Sequence, residues 1–93
     1  MILAIDCGNT NTVFALYTTN KQIKQLTSWR INNDSKRTAD LYYPWLLKMF
    51  EISNFDINSV TGVSIASVVP ETLENIKSLI KKHFSIKTLI VNE

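Results

Sequence analysis

The chain has 93 residues, 45% of them hydrophobic and 19% charged, with ten basic and eight acidic side chains for a net charge of +2. A chain of this length forms at most one domain with a thin core, burying about 60–65% of its unfolded surface, and its composition argues against a disordered tail. Interspersed charges exclude the concentrated basic footprint of a nucleic-acid binder, a single cysteine, Cys7, excludes an intrachain disulfide, and no apolar run approaches the ~20 residues of a membrane span.

In chain order, Ile2–Ile5 is a continuous apolar run that suits a strand buried on both faces. It is too short for a signal peptide and gives way at once to Asp6, so the expectation is a cytoplasmic protein of a reducing compartment. Gly8, Asn9 and Asn11 supply turn chemistry, and the β-branched and aromatic stretch Thr12–Tyr17 predicts a second strand paired with the first as a hairpin. Thr19–Lys21 is the next turn. Gln22–Arg30 alternates loosely and predicts a third, more exposed strand, with a bulge where the alternation slips. Asn32–Lys36 is a loop by composition.

A helix is expected from about Thr38, with Leu41, Trp45 and Met49 at i, i+4, i+8 and with Leu46 and Phe50 beside them. Asp34, Ser35 or Thr38 can cap it. Pro44 requires a kink or a regular part that begins near Tyr43. Asn54–Ser59 is a loop, and Gly62–Val69 reads as a strand with small residues on one side. Pro70 opens a second helix at the position that favours proline. Its acids Glu71 and Glu74 come early and Lys77, Lys81, Lys82 and His83 late, in the order that complements the helix dipole. Leu73, Ile76, Ile80 and Phe84 form its expected buried stripe, and Ile86–Val91 is the last strand. The order β-β-β-α-β-α-β predicts an α/β fold with a mixed five-stranded sheet, antiparallel across the short turns and parallel across the helices.

The segment from Asp6 to Thr12 places an acid at the end of a buried strand and a glycine two residues later. Glycine permits positive φ and close approach to the main chain, and successive backbone N–H groups in such a turn form an anion-binding concavity. Asn9, Thr10, Asn11 and Thr12 add neutral donors, and Asp6 would act on a phosphate through Mg²⁺ or its waters. The same residues are also ordinary turn chemistry, with Asp6 bonded only to the hairpin backbone. Cys7 reads as a small strand-end filler or, with a partner, a nucleophile. The aromatics Trp29, Trp45, Phe50, Phe55 and Phe84 read as core or interface residues, and His83 as a partner of a helix C-terminus. Arg30 and Arg37 are either surface charges or groups at the mouth of a site or a dimer interface.

Three stretches carry a resemblance over essentially the whole chain. MILAIDCGNTNTVFALY resembles the first phosphate motif of type III pantothenate kinases. SWRINNDSKRTADLYYPWL, with Arg30, Arg37, Thr38 and Ala39, resembles that family's segment after the third strand, and IASVVPETL its strand-to-helix junction at Ser67–Pro70. The resemblance implies a ribonuclease H-like, actin-like lobe of a two-lobe kinase, transfer of the γ-phosphoryl group of ATP to pantothenate as the first step toward coenzyme A, and use of Mg²⁺ and a monovalent cation, K⁺ or ammonium. It also implies a homodimer. By position it assigns Asp6 to the metal and phosphates, and Cys7, Gly8, Asn9, Thr10, Asn11, Thr12 and Val13 to the ATP loop. Ala15 stands where many relatives have glycine, and Leu41 where they often carry an acid. The family's Gly-x-Asp-Arg segment, with its proposed general base, would begin after Glu93, as would the second phosphate motif and the monovalent-cation site. The expectation is therefore a first lobe that binds ATP but is inactive alone, with a bare lobe face prone to oligomerisation. The alternatives are a non-enzymatic interaction or transcription-accessory module, an inactive remnant, or an actin-like kinase with another acceptor.

Overall fold

The computed structural model describes residues 1–84 and 86–92, the last strand as backbone only; Ser85 and Glu93 lie outside the described residues. The elements are β1 (Ile2–Cys7), β2 (Asn11–Thr18), β3 (Lys24–Asn32), α1 (Ala39–Ile52), a 3₁₀ turn at Ile57–Ser59, β4 (Gly62–Ser67), α2 (Pro70–His83) and β5 (Lys87–Asn92). They form a mixed sheet in the order β3-β2-β1-β4-β5. β1–β2 and β2–β3 are antiparallel, while β1–β4 and β4–β5 are parallel, as short turns and helical crossovers respectively demand. The expected bulge falls at Leu26: Leu16 pairs with Thr27 and Tyr17 with Gln25.

Alternation sorts the strands' side chains onto two unequal faces. Leu3, Ile5 and Cys7 of β1, Phe14 and Leu16 of β2, and Val63 and Ile65 of β4 join one buried cluster with Tyr42, Leu46 and Phe50 of α1 and Ile76, Leu79 and Ile80 of α2. Both helices therefore cover the same face. The opposite face carries Ala4, Asp6, Val13, Ala15, Ser64 and Ala66, which line a shallow hollow of about 350 Å³. The run Ile2–Ile5 is thus not buried equally on both sides, because helices cover only one.

The helix α1 starts at Ala39 with Thr38 as N-cap, whose side chain makes no capping bond. Asp34 instead accepts from the Lys36 N–H at 3.0 Å, turning the chain before the helix. The helix runs through Pro44; so early in the helix, the missing N–H deprives only the Asp40 carbonyl of its helical donor. Its buried stripe is Tyr42–Leu46–Phe50, with Ala39, and Leu41 is 61% exposed. The expected stripe through Leu41, Trp45 and Met49 is thus rotated by one residue. Phe14 packs edge-on to Trp45 at 5.3 Å, Trp29 lies 4.9 Å from Phe50, and the Trp29 indole donates to Ser53 Oγ at 3.0 Å. The helix ends on Asn54 at φ 62°. The Asn54 N–H donates to Glu51 and the Phe55 N–H to Phe50, a Schellman closure.

In α2, Pro70 is the first residue, and Ser67 Oγ accepts from the Val69 N–H at 3.0 Å just before it. Thr72 and Leu79 are buried together with Ile76 and Ile80, whereas Leu73 and Phe84 pack at the edge of the core. Among the described residues no helix is long and apolar enough to cross a membrane.

Candidate functional site

The β1–β2 hairpin divides the predicted site residues by strand parity. Asp6 is exposed on the open face of the sheet, paired with Val13 on one side and Ala66 on the other. Its carboxylate has no hydrogen-bond or ion-pair partner among the described residues. Cys7, the next residue, points the opposite way and is 0% exposed. Burial pushes its thiol pKa up, the neighbouring Thr12 and Ser67 hydroxyls oppose this more weakly, and the charge of Asp6 adds to the rise. Thr12 is buried beside it. Cys7 and Thr12 therefore lie beneath the turn and their side chains do not line it. Val13 returns to the open face beside Asp6.

The tip is Gly8–Asn11. The Gly8 N–H donates to the Asn11 carbonyl at 2.9 Å, closing the turn. Among the described residues no glycine has positive φ, so the expected left-handed role of Gly8 does not apply. Its reason is close approach: a Cβ there would meet the Asn11 carbonyl oxygen at 3.2 Å. Asn9 and Thr10 are exposed, and their backbone N–H groups have no partner among the described residues. One of the expected amides is thus committed internally, and two at the tip remain open to an anion.

Asn33, in the loop just after β3, holds this turn at three points. Its Nδ2 donates to the Gly8 carbonyl at 2.6 Å, its backbone N–H donates to the Thr10 carbonyl at 2.8 Å, and its Oδ1 accepts from Thr12 Oγ1 at 2.7 Å. No local pattern flags it, because its partners Gly8, Thr10 and Thr12 lie 21 or more residues earlier in the chain.

The two arginines separate. Arg37 donates to the Asn32 carbonyl and its guanidinium lies 5.5 Å from the centre of the Tyr42 ring, so it braces the loop that carries Asn33. Arg30 is exposed and pairs with Val13. Asp6, Val13 and Arg30 thus share one rung on adjacent strands, with Asp6 and Arg30 about 10 Å apart across two strand spacings.

A divalent cation fits this surface in one way only. Among the described residues there is no group of three or more His, Cys, Asp or Glu side chains that could cage a metal. Mg²⁺, however, is commonly held by one or two carboxylates together with substrate phosphates, and the exposed, unpartnered Asp6, on the strand that leads into the two open amides, matches that mode.

The chain is similar to known proteins over nearly its whole length. The family profile described as type III pantothenate kinase matches residues 2–93. Three curated relatives carry that same name. The Maricaulis maris protein is 40% identical over 93 residues, 100% of this chain and 35% of the relative. The Sphingopyxis alaskensis protein is 42% identical over 90 residues, 97% of this chain and 33% of the relative. The Zymomonas mobilis protein is 44% identical over 90 residues, 97% of this chain and 32% of the relative. This chain spans about a third of the length of these relatives, and it belongs to the type III pantothenate kinase family.

Proposed function

We propose that this chain is the ATP-binding, actin-like lobe of a pantothenate kinase, which transfers the γ-phosphoryl group of ATP to pantothenate. The observation that carries the reading is the hairpin itself: an exposed carboxylate at Asp6 near the end of β1 and the open N–H groups of Asn9 and Thr10 in the turn that follows. Phosphoryl transfer rests mainly on positioning and electrostatic stabilisation, and these groups can supply both for one side of a triphosphate. Asn9 and Thr10 would donate to phosphate oxygens, and the Asn11 side chain would extend the donor set. Asp6 would hold Mg²⁺, directly or through water, and the bound ion would neutralise charge on the phosphate oxygens. Cys7 and Thr12 would serve as the floor of the turn. The acceptor site, the general base and the monovalent-cation site are assigned to the parts of the relatives outside the matched third, and the working unit to a homodimer in the cytoplasm.

Titration calorimetry of the chain with ATP–Mg²⁺ tests this. Weak but saturable binding is expected. In Asp6→Asn, affinity for ATP–Mg²⁺ should fall about tenfold, the loss of one charge-assisted contact, while magnesium-free ATP binds both proteins alike. Because Asp6 is exposed, the melting temperature should barely move. No heat with either nucleotide form would reject the kinase-lobe reading in favour of an interaction module.

A further inference from the structure

We infer that Asn33 is the positioning residue of the phosphate hairpin, a latch that fixes the Gly8–Asn9 peptide so that the Asn9 N–H faces outward. The inference rests on the kinase-lobe reading for its ligand but not for its geometry. In a planar trans peptide the C=O of one residue and the N–H of the next point in opposite directions. The Gly8 carbonyl is drawn to Asn33 Nδ2 at 2.6 Å, so the Asn9 N–H of the same unit must point away from Asn33. The Thr10 carbonyl is likewise held by the Asn33 N–H at 2.8 Å, which turns the Asn11 N–H away from it. The negative ends of both peptide dipoles are thus directed at Asn33 and their positive ends elsewhere. At the Gly8–Asn9 unit an anion on the side away from Asn33 therefore meets the N–H and not the carbonyl.

A latch is needed at this point in the chain. Glycine has the lowest barrier to backbone reorientation, and Gly8 precedes the critical peptide bond. If that unit flipped, the Gly8 carbonyl would face the anion and the Asn9 N–H would be lost to it. The orientation of the Asn33 amide is set in turn, because Thr12 Oγ1 donates to its Oδ1 at 2.7 Å from a fully buried position. The amide's nitrogen is then the end left to meet Gly8. Arg37, bonded to the Asn32 carbonyl, braces the loop behind it.

The test uses the 93-residue chain labelled with ¹⁵N, with inorganic triphosphate plus Mg²⁺ as the probe. In Asn33→Ala, relaxation dispersion should show new exchange confined to Asn9 and its neighbours, and triphosphate affinity should fall about tenfold, the equivalent of one lost hydrogen bond. Thr12→Val, nearly isosteric and without the hydroxyl, should show the same signature in weaker form. It also serves if Asn33→Ala fails to fold. A general loss of stability would broaden or shift amides throughout the sheet and would count against a latch. Unchanged Asn9 dynamics and affinity in both variants would overturn the inference while leaving the kinase-lobe reading intact. If the wild-type chain binds no triphosphate, that reading fails, and the dispersion result alone decides the latch.

Discussion

Asp6 and Cys7 are adjacent in sequence and opposite in role, because a strand sends successive side chains to opposite faces. The acid stands on the open face at the end of the strand that leads into the exposed tip, and the thiol is sealed under the helices. Since burial is the main cause of the raised Cys7 pKa, the group is a neutral thiol at neutral pH, and thiolate is the reactive form. Folded protein at pH 8 should therefore react with a disulfide reagent orders of magnitude more slowly than in denaturant. A reaction at the rate of free cysteine would place Cys7 outside the core and remove the floor from under the hairpin. Gly8 and Asn33 complete this scale: one permits the close approach to Asn11, and the other chooses which way the following peptide points.

At the scale of elements, the end of α1 depends on Asn54 at φ 62°. A β-branched residue cannot take this conformation cheaply, so Asn54→Val should lower unfolding stability by about 1–2 kcal/mol, whereas Asn54→Gly should hold or slightly raise it. Denaturant titrations of both variants compare them directly, and equal stabilities would mean the Schellman closure does not form. The corner where α1 meets α2 is charged. Asp40 accepts from Lys82 at 2.7 Å and lies 3.6 Å from His83, whose ring stacks on Tyr43 at 4.1 Å. The Lys82 hydrogen bond and charge hold the Asp40 pKa below its ordinary 3.8, with His83 adding to the effect. A carboxylate whose folded pKa is depressed stabilises the fold above its unfolded value, and that contribution disappears as pH falls from about 3.8 to below it. Asp40→Asn should therefore show a shallower acid-unfolding limb, by a small amount because the pair is exposed and screened, and identical limbs would remove the corner from the account. The order of elements and the strand directions were legible as apolar runs, turn residues and helical spacing. The buried face of α1 was not, because Leu41–Trp45–Met49 and Tyr42–Leu46–Phe50 are adjacent apolar rows about 100° apart. Only tertiary packing decides between them: the second row is buried in the core, with Trp29 of a distant strand on Phe50, while Phe14 reaches Tyr42 of the second row and the half-buried Trp45 of the first. The hairpin was legible as a motif, but Asn33 was not, since only tertiary contact brings it to Gly8.

The whole molecule has one sheet with one face covered. Both helices pack on the side of Leu3, Ile5 and Phe14, and Asp6 looks out from the other, across small residues and toward the rung of Arg30. This asymmetry separates binding from turnover. A transferred phosphoryl group needs an acceptor held in line, a group to receive the acceptor's proton, and charge stabilisation around the phosphorus. Asp6 is the one carboxylate that the described residues bring to the hollow, and it is committed to the metal in the proposed site. Asp40 is engaged with Lys82 at the corner where the two helices meet. Among the described residues no second carboxylate lines the hollow, so on the proposed reading the chain grips one side of a triphosphate without a second group there to activate a hydroxyl. Purified chain given ATP, Mg²⁺, K⁺ and pantothenate should bind nucleotide and yet form no phosphorylated product above the reaction without protein, when product is followed by mass spectrometry. Catalytic turnover by this chain, abolished by Asp6→Asn, would mean that the described lobe, alone or as a self-assembled dimer, already contains a base, and the division of labour argued from the open face would have to be redrawn.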